Sequence, residues 1–459
     1  MHKSEFMRYW NKTIETMPRS ELRRLQRKKL LYTLEYAYSH SPFYHSLFDE
    51  MKVKPSDFKK IDDLMKLPII TKKDIIQNQP PQSDSFRFFS ASREQRFTQH
   101  YTSGTKGVPK IFSLTRDDWD ISRETTARAY TMEGIGEGDL VLNCFPFGIN
   151  VSGLISMEGF RATKTDVIPA GIMPFPPKID LIKLHKPTTI LGIPSYIDRL
   201  SRELEKGGMN PKNSGLNKIV VAAEPSTQAR RDKLAETFNA QVFDLYASTE
   251  GKAIASECIA HKGLHIVGED YLIVEVANPE TKDRLSEGEV GIDLITTLVD
   301  PGRYIGSVLI NYHHGDQFSI VSEEECECGR TLKRISHPTR ADDAVIISGA
   351  KLDPSDIEAV VNRPEHLLYL TGEYEAFVDF DEKEKVNILT IRVDAKGKAN
   401  VVPKEHSQKL KSDILAINYP LASETGSGGI NLNLEIVDEG SLEVYRPGKP
   451  KRIIDRRKI

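Results

Sequence analysis

Residues 188–251 read TTILGIPSYIDRLSRELEKGGMNPKNSGLNKIVVAAEPSTQARRDKLAETFNAQVFDLYASTEG. Three short apolar runs punctuate this stretch: Thr188–Ile193 (TTILGI), Lys218–Ala223 (KIVVAA) and Gln241–Tyr246 (QVFDLY). Each has the length and composition of a buried strand. Pro194–Lys206 and Thr227–Phe238, which separate them, read as helices. Strand and helix alternating at this spacing predict βαβ units, and therefore a parallel sheet with helices on both faces. Ser248, Thr249 and Glu250 then fall at the carboxyl end of a strand, where open α/β sheets bind ligands.

Working outward, the texture changes on both sides. Toward the N-terminus, Tyr101–Lys110 reads YTSGTKGVPK, a run that builds no core. Its hydroxyls and backbone N–H groups suit phosphate oxygens, although the spacing of a P-loop, G-x-x-x-x-G-K-[ST], is absent. A helix is expected over 115–131, with Thr115 and Asp118 as a capping box, and another over 20–38, with Ser20 as its cap. Toward the C-terminus, Tyr271–Ala277, Gly291–Leu298, Ser307–Tyr312 and Phe318–Val321 predict an antiparallel subdomain. Beyond it, Asp353 and Pro354 start a helix, and 386–393 and 430–437 read as strands of a small α+β domain. The predicted fold is thus α/β: a large N-terminal domain over 1–338 and a small C-terminal domain over 339–459.

The composition is that of a soluble folded chain of several subdomains. It has 459 residues, 39% hydrophobic and 28% charged. Sixty-three basic against 66 acidic side chains give a formal charge of −3, which argues against nucleic acid or an anionic membrane as the main partner. The first twenty residues lack the apolar segment of a signal peptide, and no run of 18 apolar residues suggests a membrane span. Four cysteines do not make a disulfide framework, so a reducing cytoplasmic setting is expected.

Seven stretches, in order along nearly the whole chain, resemble the AMP-forming adenylate synthetases, in particular their phenylacetate–CoA ligase branch. They are the opening WNKTIETMPRSELRRLQRKKLLYTLEYAYSHSPFY, YTSGTKGVPK, VVAAEP at 220–225, FDLYASTEG at 243–251, NYHHGD at 311–316, TRADDAVIISGAKLDPSDIEAVV at 339–361, and RPGKPKRIIDRR at 446–457. Taken singly, Glu250 reads as a loop acid, Asp316 as a turn residue and Lys449 as part of a basic tail. The order of all seven carries the resemblance.

The resemblance implies roles for particular residues. Thr102, Ser103, Gly104, Thr105, Gly107 and Lys110 would hold the ATP phosphates. Ala223, Glu224, Pro225 and Tyr246 would frame adenine, and Asp316 and Arg340 would hold the ribose. Glu250 would bind Mg2+ with Thr249 beside it, since Mg2+ favours hard oxygen ligands next to substrate phosphates. Lys449 would bridge the carboxylate and the α-phosphate, where charge builds up in the transition state. Asp342 would be the hinge of a mobile C-terminal domain. Phe145, Phe147, Ile149, Ile193 and Ala247 would line an acyl pocket suited to an aromatic or medium apolar acid. Cys258, His265, Cys326 and Cys328 match a Cys/His…Cys-x-Cys pattern that implies structural Zn2+, with His261 as a rival histidine.

The chain also departs from the family. Lys106 stands where Thr or Ser is usual, and Asn311 where an arginine is usual. VVAAEP and YASTEG each carry alanine in place of a common glycine. The expected reaction joins a small-molecule carboxylate to ATP as acyl-AMP and then transfers the acyl group to a thiol, with CoA as the expected acceptor. The alternatives are a carrier protein or an amine as acceptor, AMP transfer, or a nucleotide sensor without catalysis. The sequence leaves a homodimer open.

Overall fold

A computed structural model of the chain describes residues 9–102, 109–341, 344–381, 383–384, 386–443 and 451–457. Four groups of predicted site residues lie outside them: Ser103, Gly104 and Thr105; Lys106 and Gly107; Asp342; and Lys449. The chain forms two compact units, Met1–Ala223 with Phe238–Pro338, and Glu224–Thr237 with Thr339–Ile459.

In the first unit, β1 (Arg96–Tyr101) and β2 (Ile111–Thr115) form an antiparallel hairpin. The chain then builds β3 (Leu140–Asn143), β4 (Asp166–Ile168), β5 (Thr189–Gly192), β6 (Lys218–Ala222), β7 (Gln241–Ser248), β8 (Lys252–Glu257), β9 (Leu264–Ile266), β10 (Leu272–Ala277), β11 (Val290–Thr297), β12 (Asp316–Ser322) and β13 (Arg334–Ile335). Their order across the sheet is β10-β11-β12-β13-β9-β8-β7-β6-β5-β3-β4. The pairs from β4 to β7 are parallel and those from β7 to β10 antiparallel. The expected antiparallel strands therefore continue the parallel sheet instead of standing apart. The switch occurs at the β7–β8 turn, which carries Thr249 and Glu250.

Within the runs that predict β5 and β6, Thr189–Gly192 and Ile219 to Ala222 are buried, as parallel strands covered on two faces must be. The helix Pro194–Lys206 follows β5 with the predicted bounds. Helix Arg116–Met132 starts at Thr115, whose hydroxyl accepts from the Asp118 amide while the Asp118 carboxylate accepts from the Thr115 amide. That reciprocal pair satisfies two donors a helix start leaves open. Two expectations fail. The helix Arg19–His40 begins after Pro18, so Ser20 lies inside it. Ser307–Tyr312 is not a strand: its amides at Val308, Leu309, Ile310 and Asn311 bond to hydroxyls of Ser90, Thr297, Tyr44 and Thr296. Side chains replace the ladder that a strand would need.

The second unit contains β14 (Thr339–Arg340), β15 (Val345–Ile347), β16 (Ala350–Leu352), β17 (Leu370–Asp381), β18 (Val386–Ala395), β19 (Ile430–Val437) and β20 (Ile453–Asp455). Four of these form a sheet in the order β19-β18-β17-β20. The helix Pro354–Val361 is capped by Asp353, as predicted. No helix among the described residues is long and apolar enough to cross a membrane.

Candidate active site

The hairpin of β1 and β2 closes at its base, where the Thr102 amide donates to the Lys110 carbonyl (3.0 Å). Gln79, buried at 2% exposure, braces that base: its amide donates to the Pro109 carbonyl (2.6 Å) and its oxygen accepts from the Ile111 amide (3.0 Å). The Thr102 hydroxyl is buried without a partner among the described residues.

From this base Lys110 reaches into the β7–β8 turn. Its buried ammonium pairs with the Glu250 carboxylate and donates to the Tyr312 hydroxyl (2.7 Å). Burial alone would raise the Glu250 pKa; the charges of Lys110 and then His314 overcome it and hold the carboxyl at about 2. Glu250 is thus an ionised, acceptor-only group inside the protein.

Behind the turn stands Asp293, fully buried in β11, which the sequence reading passed over. One of its oxygens accepts from His313 Nδ1 (2.7 Å) and the Asp316 amide (3.2 Å). The other accepts from His314 Nδ1 (2.9 Å) and the His314 amide (3.3 Å). Burial would raise this carboxyl too, but the hydrogen bonds and charges of the two histidines hold it far below the carboxylate range. In return, the hydrogen bond and charge of Asp293 outweigh burial and raise His314. His314 Nε2 then meets the Ser248 hydroxyl (3.0 Å), which accepts from the Gly251 amide (2.8 Å) and so shapes the turn holding Glu250.

Asp316, at the start of β12, accepts from the Tyr246 hydroxyl (2.8 Å), so the structure brings these two predicted residues together. Thr249 is half-buried beside Glu250, and Ala247 is exposed. Ala223 ends the first stretch of this unit in a left-handed conformation (φ 71°) and is exposed, while Glu224 and Pro225 belong to the second unit. Arg340 is half-buried in β14 of that unit. Asn311, in the place of the family's arginine, binds the Leu64 carbonyl (2.7 Å) and accepts from Arg284 (2.9 Å), so it serves as a clamp.

The predicted acyl-pocket residues divide. Phe145 is buried in the core, with Ile193 packed against it, whereas Phe147 and Ile149 are 37% and 62% exposed. The Ile149 carbonyl accepts from the Tyr101 amide (3.3 Å), which ties this loop to β1.

A second cluster lies elsewhere in the same unit. Cys258, His265, Cys326 and Cys328 are buried, with donor atoms within 4.8 Å of one another. Cys258 Sγ and Cys326 Sγ are 3.9 Å apart, and Cys328 Sγ and His265 Nε2 are 3.5 Å apart. Ligands of one tetrahedral ion with bonds of about 2.3 Å (sulfur) and 2.05 Å (nitrogen) stand about 3.8 and 3.6 Å apart, so the spacing fits. His265 Nδ1 faces the Leu332 carbonyl (3.2 Å), which leaves Nε2 for the cluster. His261 is outside the group, stacked on Phe243.

A family model described as AMP-binding enzyme matches residues 45–295, more than half of the chain, and the chain belongs to that family. The phenylacetate-coenzyme A ligase of Thermus thermophilus is 28% identical over 463 residues, covering 97% of this chain and 99% of its own. The enzyme of that name from Escherichia coli is 29% identical over 451 residues, 97% of each. The fold is also that of 2-hydroxyisobutyryl-CoA ligase in its postadenylation state in complex with R3-HIB-AMP. There the TM-score is 0.85 at 23% identity, covering 98% of this chain and 93% of the other.

Proposed function

We propose that this protein is an AMP-forming acid–thiol ligase. A carboxylate oxygen attacks the α-phosphorus of ATP, the bond to the β-phosphate oxygen breaks, and pyrophosphate leaves. The thiol of CoA then attacks the acyl carbon and AMP departs. The observation that carries this reading is the convergence of three segments on Glu250: the hairpin base through Lys110, the β7–β8 turn, and residues 311–316 through Tyr312 and His314. A site of this kind needs fixed charges where two anions must meet.

Within that reading, Lys110 and Thr102 with the glycine loop bind the phosphates, Tyr246 and Ala223 lie against adenine, and Asp316 accepts from the ribose hydroxyls. Glu224, Pro225 and Arg340 complete the nucleotide site. Glu250, ionised and buried, fits the hard-oxygen demand of Mg2+, whose chemistry would be to neutralise phosphate charge. Residues 339–459 carry Lys449 and turn about Asp342 between the half-reactions. Cys258, His265, Cys326 and Cys328 hold Zn2+, which would cross-link segments more than sixty positions apart in sequence. Four reduced, buried cysteines suit work in the cytoplasm.

A panel of carboxylates in an ATP–pyrophosphate exchange assay, followed by addition of CoA, tests the proposal. Carboxylate-dependent exchange and acyl-CoA formation are expected. Exchange without thioester formation would move the acceptor to a carrier protein or an amine. No carboxylate-dependent exchange would refute adenylation.

A further inference from the structure

Lys178, in the helix Phe175–His185, has no exposed surface. Its ammonium donates to the Gly171 carbonyl (2.8 Å) and to the Tyr196 hydroxyl, and it lies against the Cys144 thiol. All three partners are neutral, and no carboxylate pairs with Lys178 among the described residues. An ammonium only donates, so the Tyr196 oxygen is the acceptor in that bond. The tyrosine's own O–H then has no acceptor among the described residues. Burial pushes the phenol pKa up, so this donor keeps its proton. Lys178 is thus buried without a counter-charge, its pKa lowered by that burial, and a hydroxyl is left ready to donate beside it. A buried polar group normally has a partner, so the half-buried Tyr196 hydroxyl has a bond left to make.

The position points the same way. β4 and β5 lie on opposite sides of β3, so the strand order reverses there. Cys144 follows β3, Gly171 follows β4, and Tyr196 lies in the first turn of the helix after β5. Open α/β sheets take their ligands at such a reversal, beyond the carboxyl ends of the strands. Phe147 borders the same edge, 3.4 Å from where a Cβ on Gly171 would stand, and Ile193 precedes the Tyr196 helix.

We infer that Tyr196, backed by Lys178, selects a carboxylic acid that carries a second oxygen acceptor on its acyl part, whether hydroxyl, carbonyl or second carboxylate. This rests on the adenylation reading. Tyr196 meets the substrate oxygen; Lys178 is a positioning residue that orients and polarises the tyrosine. An acid without that oxygen forgoes the bond to this donor, and the loss falls on specificity.

The test compares kcat/KM in ATP–pyrophosphate exchange for matched acids that differ by one oxygen group. One arm uses hydroxy or keto acids and the other uses dicarboxylates. The wild type should prefer the oxygenated member in one arm by about tenfold or more. Tyr196→Phe should bring that ratio close to one. Lys178→Met should lower it chiefly by raising KM for the oxygenated acid. If Lys178→Met does not fold, the Tyr196→Phe ratio decides alone. A wild type with no preference in either arm, or variants in which both members lose activity by the same factor, overturns this inference and leaves adenylation standing. No exchange with any acid overturns both.

Discussion

Replacing Asp293 by Asn removes one charge and little volume, so it isolates the electrostatics behind the β7–β8 turn. In the wild type, four donors converge on this carboxylate: two imidazoles and the amides of His314 and Asp316. The new amide would present N–H to donors on one side. Breaking a buried ion pair costs about 3–5 kcal/mol, and hydrogen bonds to a charged group about 1.5–3 kcal/mol. The pH dependence follows from the two shifts. His314 is raised above its ordinary value of about 6.5, so its contribution is complete below that value and is lost as pH rises through the folded pKa. Asp293 is depressed, so its contribution is complete above about 3.9 and is lost as pH falls through the folded pKa. At pH 6 both groups are charged, and Asp293→Asn should cost about 3–5 kcal/mol. As pH rises through the folded pKa of His314 and the imidazole loses its charge, the cost should shrink toward about 1.5–3 kcal/mol. Urea unfolding followed by tryptophan fluorescence reads this, because Trp10 and Trp119 both lie in the first unit. A penalty below about 1 kcal/mol at pH 6, or one that does not fall as the pH is raised through the titration of His314, would refute the reasoning.

Three further outcomes follow from the same contacts. Glu250→Gln should lower single-turnover acyl-AMP formation by about 10²–10³-fold, and a loss under tenfold would remove Glu250 from the proposed chemistry. Cys328→Ser should take the protein from about one zinc per chain to a trace in metal analysis, with a lower melting temperature; an unchanged zinc content would exclude the four-ligand site. Thr115→Ala should cost about 1–2 kcal/mol in chemical denaturation through the lost cap, and a neutral result would show that the capping pair is not used.

The parallel half of the sheet was legible because β5, β6 and the helix Pro194–Lys206 carry their pattern locally. Where side chains from distant segments make the structure, the pattern misled. Ser307–Tyr312 looks like a strand, but four hydroxyls from three other segments take its amides. The opposite error hid β17: LTGEYEAFVDFD contains Gly372, Glu373 and Glu375, which break an apolar pattern. Both glutamates are buried, Glu373 against Arg230 and Arg452 and Glu375 against Arg392. An ion-paired acid inside a sheet is indistinguishable by type from a solvated one. Asp293 was missed for the same reason, as its partners lie twenty residues away. The motif order placed Glu250, Asp316 and Tyr246 in one reading, and the structure shows Tyr246 bound to Asp316. Gln79 and the Lys178–Tyr196 pair carry no motif; only their burial and contacts mark them.

The most direct measurement of the central claim follows an oxygen atom. A substrate acid labelled with ¹⁸O in its carboxylate is turned over with ATP and CoA, and the AMP and pyrophosphate are analysed by mass spectrometry. Attack by the carboxylate on the α-phosphorus predicts one ¹⁸O in AMP and none in pyrophosphate. Unlabelled AMP, with acyl-CoA formed all the same, would contradict the account.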